Sequence, residues 1–438
     1  MEEIVLPRDR QERRDWLRDA GVHAVAAALN RAGAKDCARA FRELPAGKAL
    51  PVFSRLEPPA QKAIVEDHEG EERKALIEGM APDNRARLIA YLPEDRAQSL
   101  LESLGEEARA LTRQLLSYPE QSAGRIMTPE FVRLRPDMSV ADALEEVRAK
   151  AERAETIHFM PVVDEDMTLV GTVGLGQLVL AEGGQSVADV ATRDVPSVET
   201  KTDQEAVARL MKEADLMAVP VIGQDGRLVG IVTFDDAMEV LEFEQAEDIA
   251  RAGATEPAAE PYLSVSLFGL VRSRITWLAV LMLAYALTVQ VLDAFEAQLE
   301  ETVALALFIP LLIGMGGNAG TQSVTTVVRA LAVRDIGTAD ALAVAGKEVG
   351  AALVMGAALA LAGYALLIAF FPPGIALTVA LSGLAIIGFA ALSGAVMPMV
   401  ARVLSIDPAV FSSPVVNTVI DAVGLVIYFL IAKVVLGI

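Results

Sequence analysis

Asp421 is the single acidic residue in an apolar run from Val415 to Ile438. At about 1.5 Å of rise per residue, a helix over that run crosses a hydrocarbon core roughly 30 Å thick. A carboxylate at that depth costs roughly 3 kcal/mol on insertion scales, so it normally faces water or a partner. Helical spacing puts Asn417, Asp421, Gly424 and Tyr428 on one face. Two chemistries fit this small, polar seam: the wall of a cation path, or a protonated Asp hydrogen-bonded to a neighbouring helix as glue. A second constellation is the stretch PLLIGMGGNAGTQ, from Pro310 to Gln322. There Pro310, Gly314, Gly317 and Thr321 share one face, and Asn318, Gln322, Thr325 and Arg329 make a neighbouring polar stripe. Small residues let helices approach, and amides can hold another helix or a hydrated ion. Proline and glycine loosen a helix, which is tolerable where backbone lines a cavity. Plain helix packing accounts for the same residues.

Both constellations need membrane helices to carry them. Five apolar segments are present, about 275–292, 302–328, 342–370, 376–404 and 415–438. Arg272 and Arg274 precede the first, Arg329, Arg334 and Lys347 lie between the second and third, and Arg402 ends the fourth. The loop after the first carries Asp293, Glu296, Glu300 and Glu301 with no base, and Phe371 to Gly374 is uncharged. Positive residues gathered on the cytosolic side predict five crossings, the amino terminus inside and the carboxyl terminus outside. Trp277 then falls at the cytosolic interface, and Lys433 snorkels at the outer end. The opening MEEIVLPRDRQERRDW has no apolar stretch, so no cleavable signal is expected and the first span is expected to direct insertion.

Charge divides the chain in the same place. Nine acids and seven bases follow residue 261, which leaves −19 of the net −21 on the front part. That balance argues against nucleic acid as a partner. It suits divalent cations or basic partners, with solubility as the plainer reason. The single cysteine, Cys37, excludes an intrachain disulfide and a thiolate cluster.

Residues 1–125 read as short helices joined by proline-marked turns, at Leu44-Pro45, Glu57-Pro58, Ala81-Pro82 and Leu92-Pro93. A repeat of that kind predicts a helical solenoid. Residues 126–240 are duplicated: the run from Met160 to Val173 matches that from Val219 to Val232, with a helix before each copy. The order of strand, helix, strand, Asp/Gly turn, strand and helix resembles a tandem pair of CBS domains, which commonly bind adenosyl nucleotides between copies. Thr233 and Asp236 match the positions that meet phosphate and ribose in such relatives. The first copy has Gly174-Leu-Gly-Gln177 there and lacks the acid, so at most one nucleotide site is expected. A purely structural or metal-sensing pair fits equally. Glu239, Glu242, Glu244, Glu247 and Asp248 then form an acidic helix, and AGATEPAAEP (252–261) marks a linker to the membrane. Such a run is ordinarily a solvated helix face.

Taken together, GGNAGTQ, Asp421 with Gly424 and Tyr428, five spans, a CBS pair, an acidic connecting helix and a helical front domain resemble the MgtE family of magnesium channels. The expected fold is a multidomain α and α/β protein: a helical superhelix over 1–125, CBS domains over 126–240, connecting helix and linker over 241–261, and a five-helix transmembrane domain over 262–438. The resemblance implies a homodimer in a bacterial-type plasma membrane, with a central Mg²⁺ pore formed mainly by spans two and five. It implies cytosolic Mg²⁺ sites that hold the pore shut, and modulation by ATP. Mn²⁺ and Co²⁺ are the expected leaks.

By position, Asp421 is the pore acid, Asn417 contributes a backbone carbonyl, and Asn318 belongs to the span-two motif, in which Thr321 stands where the family often has a second Asn. The implied regulatory metal acids are Asp236, Glu239, Glu244, Glu247 and Asp248, with Glu205 and Asp215 as further candidates. Asp83, Glu94 and Asp95 are the front-domain candidates. An intramembrane metalloprotease is the rival enzyme, but the chain has no HExxH, and His23, His68 and His158 all precede the spans; no enzyme is expected. The other rival is a CBS-containing membrane nucleotide or metal sensor that conducts nothing, against which stand only Asp421 and the span-two amides.

Overall fold

The computed structural model describes residues 5–256, 265–333, 335–404, 406 and 413–438. Arg334 and the linker beyond Glu256 lie outside the described residues. The chain divides near Glu244 into a soluble unit and a second unit that holds the membrane helices.

The soluble unit begins with short helices from Arg10–Asp19 to Glu106–Leu116. Pro58 and Pro82 occupy first turns, while Pro45 and Pro93 are N-caps. In the first turn the missing N–H removes no helical bond, and the fixed φ starts the helix. Helices of 8 to 11 residues are too short to hold alone in water. They persist because each buries a stripe in one core, with Leu17, Phe41, Phe53, Ile64, Ile77 and Ile89 all buried together.

The duplicated segment forms two hairpins. β1 (Phe159–Val163) pairs antiparallel with β2 (Leu169–Gly174). In the second copy β3 (Val198–Glu199) lies parallel to β4 (Ala218–Ile222), which pairs antiparallel with β5 (Leu228–Thr233). The repeat survives in the register: Met160 faces Val173 and Val219 faces Val232. The copies meet at their turns, where Leu228 N donates to the Met167 carbonyl at 2.9 Å.

β5 leads directly into one helix, Phe234–Ala252. The last CBS helix and the acidic connecting helix are therefore continuous, and the division expected at 240/241 falls inside it. No Gly or Pro interrupts the sequence from 234 to 252, so nothing there stops a helix.

Five helices in the second unit are long and apolar enough to cross a membrane: span one (Leu267–Ala294), span two (Ile309–Ala332), span three (Ala341–Leu367), span four (Pro373–Val403) and span five (Ser413–Leu436). A short 3-10 turn, Val303–Phe308, precedes span two. Pro310 sits in the first turn of span two, so it starts that helix rather than loosening it. Span four is the most enclosed, and Ile386, Ala390, Ile420, Tyr428 and Phe429 share its core.

Candidate functional site

Span five meets span two through glycine. A Cβ added at Gly316 would come 2.6 Å from Ile386 Cγ2, and one at Gly320 would collide with Ile420 Cδ1. The close approach is thus made by Gly316 and Gly320, one turn apart, whereas Gly314 faces open space. Beside them Asn417 lies against Gly317, and its Nδ2 donates a long bond of 3.4 Å to Thr321 Oγ1. One turn further, Asp421 is 8% exposed. No hydrogen bond or ion pair reaches it among the described residues.

The four-residue seam expected on span five divides at this point. Asn417, bonded to Thr321, and Asp421, with no partner among the described residues, form its polar part, while Gly424 packs toward Ile386 of span four. Tyr428 is fully buried, and its hydroxyl donates to the Leu305 carbonyl at 2.9 Å. A phenol in an apolar core needs an acceptor, and the turn before span two supplies one. On span two, Asn318, Gln322, Thr325 and Arg329 are all exposed on the surface of the single chain.

The sequence reading passed over Glu348 on span three, which accepts from Ser323 Oγ at 2.7 Å. Its signal is an acid inside the apolar run 342–370.

In the soluble unit Asp83 and Asp236 act on one another from the helix Pro82–Tyr91 and from the start of the connecting helix. Burial pushes both carboxyls well above the usual carboxylate range. The charge of Glu155 adds to this at Asp83, and that of Asp83 adds to it at Asp236. Asp83 Oδ1 is buried with no hydrogen-bond partner, and Asp236 Oδ2 accepts from Thr233 Oγ1 at 2.5 Å. Burial also raises Glu130 and Glu155, two acids with no motif to mark them in sequence. An orphaned carboxylate oxygen among acids that resist ionising suits a hard cation, which prefers oxygen ligands.

The other predicted acids do not join this group. Arg87 holds Glu239, Arg209 holds Glu205, and Gln204 Nε2 donates to Glu244 at 2.7 Å. Glu247 is nearly buried and paired with Arg251, one turn on. Asp248 lies exposed on the same helix. Asp95 is exposed 3.9 Å from Arg96, Glu94 is exposed beside it, and Asp215 sits in an exposed turn at φ +50°. Among the described residues, no three His, Cys, Asp or Glu side chains form a ready metal cage. Thr233 and Asp236, expected at a nucleotide's phosphate and ribose, are bonded to each other. In the first copy Gln177 instead accepts from Gly174 N at 2.7 Å.

Family models match this chain over three stretches: divalent cation transporter (MgtE) at residues 309–431, MgtE intracellular N domain at 21–121, and CBS domain at 123–183 and 187–242. The chain is similar to the magnesium transporter MgtE of Thermus thermophilus, 40% identical over 339 residues that make up 77% of this chain and 75% of that one. It is likewise similar to the magnesium transporter MgtE of Enterococcus faecalis, 35% identical over 337 residues, 75% of this chain and 72% of that one. Among solved structures, it is similar to the cytosolic domain of the Mg²⁺ channel MgtE in complex with ATP, with 34% identity and a TM-score of 0.49, over 53% of this chain and 95% of that one.

Proposed function

The chain belongs to the MgtE family of divalent cation transporters, and from that premise we propose that it is a Mg²⁺-selective channel closed by Mg²⁺ on its cytosolic side. It is a multi-pass membrane protein. The observation that carries the reading is Asp421, a carboxylate buried in a membrane helix with no partner among the described residues. Glue would need a hydrogen-bond partner; a cation path needs the charge left free.

The exposed stripe Asn318, Gln322, Thr325 and Arg329 supports a second copy of the chain as partner. Amides turned toward lipid tails leave their N–H and C=O groups unsatisfied. Across a dimer axis the same groups line water, with one Asp421 from each copy. Mg²⁺ sheds water reluctantly and favours octahedral oxygen coordination, so Asp421 and the Asn417 carbonyl act on its water shell. Selection then follows the size and geometry of the hydrated ion, and Mn²⁺ and Co²⁺ pass as leaks. The distribution of Arg and Lys supports a bacterial-type plasma membrane protein with the amino terminus in the cytosol and the carboxyl terminus outside.

Regulation rests on the acids of the soluble unit. Asp83 and Asp236, helped by Glu130 and Glu155, would hold a Mg²⁺ that supplies the positive charge this buried group lacks. The acids of the connecting helix, Glu239, Glu244, Glu247 and Asp248, extend the same effect toward the membrane. Without the ion, like charges favour separation; with it, the compact state binds better and the equilibrium moves toward closure. Asp236 belongs both to the acid pair and to the Thr233 pair offered to ATP, so nucleotide and cation act on one side chain. A sensor that conducts nothing leaves the free Asp421 carboxylate without a use.

The test is Mg²⁺ uptake by the purified protein in liposomes, with free Mg²⁺ set on the cytosolic face. Wild type takes up Mg²⁺ and slows as cytosolic Mg²⁺ rises; Asp421→Ala takes up none. Wild-type uptake by that variant would make the carboxylate structural and end the proposal.

A further inference from the structure

A cavity of about 180 Å³ lies among spans two, three and four, lined on its polar side by Gln322, Ser323, Thr326 and Glu348, with Ala352 and Met355 beyond. Glu348 stands two turns inside span three, which begins at Ala341. Its Oε2 accepts from the buried Ser323 hydroxyl at 2.7 Å. Among the described residues nothing else bonds to it, and no Lys or Arg pairs with it. A membrane-embedded acid with no counter-charge either stays protonated or holds a cation.

We propose that this cavity is a second cation site, off the Asp421 path, that takes one hydrated divalent ion against Glu348. The size of the space supports it. At about 180 Å³ it is well above the space one water needs, so a divalent ion that keeps its inner waters has room beside Glu348. The lining supports it as well. Ser323 fixes one carboxylate oxygen and leaves the other free, while Gln322 and Thr326 offer oxygens to the ion's waters. Ser323 is a positioning residue here; Glu348 supplies the charge. The site stands whether or not Asp421 conducts, because its charge comes from Glu348 of span three; only Gln322 is shared with the stripe assigned to the path.

Mn²⁺ is the probe, read by its broadening of a nitroxide in the full-length protein. The label goes on Leu359→Cys in a Cys37→Ser background, about 16 Å along span three from Glu348 at 1.5 Å per residue. Broadening should appear with Mn²⁺, yield to competing Mg²⁺ but not to K⁺, and persist in Asp421→Asn. Glu348→Gln keeps the shape and the Ser323 hydrogen bond but loses the charge. It should weaken the apparent Mn²⁺ affinity about 10–100-fold, the usual cost of a lost outer-sphere partner. Ser323→Ala, which keeps the acid, should weaken it to a smaller extent, and it serves as the second variant if Glu348→Gln does not fold. Absence of broadening, its loss in Asp421→Asn, or equal affinity in the Glu348 and Ser323 variants would overturn the site and leave Glu348 as a hydrogen-bonded link between helices.

Discussion

The acids of the soluble unit and those of the membrane spans obey different arithmetic. In the soluble unit Glu239, Glu205 and Glu244 have each found an Arg or an amide. Within the spans, Asp421 has no partner and Glu348 has only a serine among the described residues. In water an exposed ion pair contributes about 0–1 kcal/mol; in the bilayer a lone carboxylate costs several times that. A single membrane acid can therefore decide an activity, while soluble acids count only as groups or when burial strips them of water. Asp83 and Asp236 are the bridge between these cases, soluble by location but desolvated like membrane groups.

The sharpest way to break the contrast is at Asp421. Asp421→Asn conserves volume and removes only the charge. Mg²⁺ flux into liposomes should fall about 100-fold or more if that charge is what the path offers the ion. A change of less than about twofold would place Asp421 among the ordinary partnered acids.

Next in size is the connecting helix. Replacing Glu244, Glu247 and Asp248 together by Ala should raise the cytosolic Mg²⁺ needed for closure roughly 3–10-fold. It should also weaken the protection Mg²⁺ gives the soluble half against protease, which matched K⁺ does not give. Closure at the wild-type concentration would mean that these three acids are only a solvated face.

The buried pair gives a pH prediction. The folded soluble unit raises Asp83 and Asp236, so it holds protons that an unfolded chain releases. Its metal-free stability must then fall as pH climbs from the ordinary carboxylate range toward neutrality. Mg²⁺ has to displace those protons, so its apparent affinity should rise over the same window, between about pH 4 and about pH 8. Asp83→Asn should flatten that rise and stabilise the metal-free form by about 1 kcal/mol. Calorimetric titration of the full-length protein at several pH values measures both. A slope unchanged in Asp83→Asn would take the pair out of metal binding.

The smallest effect belongs to Arg87 and Glu239, both well exposed at their side chains. Glu239→Gln should alter stability toward denaturant by less than about 1 kcal/mol. A larger loss would show that this soluble pair behaves like a buried one.

Much of the architecture was legible because it rests on local rules. Prolines at 45, 58, 82 and 93 marked helix starts because a first turn tolerates a missing N–H. The repeat over 160–173 and 219–232 returned as two hairpins in matching register, since side-chain alternation fixes which face is buried. Five apolar runs became five long helices because no other open structure satisfies backbone groups in lipid. Helical periodicity also placed Asn417 and Asp421 on one face. It grouped Tyr428 with them wrongly, because a helical wheel shows which residues align but not which neighbour each one meets.

The chain's sequence alone thus determined its elements, their order, the membrane crossings and the isolation of Asp421 in span five, all set by interactions within a few residues. Only the tertiary structure decided which groups are left wanting. Gly316 and Gly320 became the contact glycines because Ile386 and Ile420 lie against them. Ser323 met Glu348, and Tyr428 found Leu305. Asp83 and Asp236, 153 residues apart in sequence, came to raise one another's proton affinity. Desolvation and unpaired charge depend on everything that surrounds a side chain, and those surroundings come from helices and strands distant in the sequence.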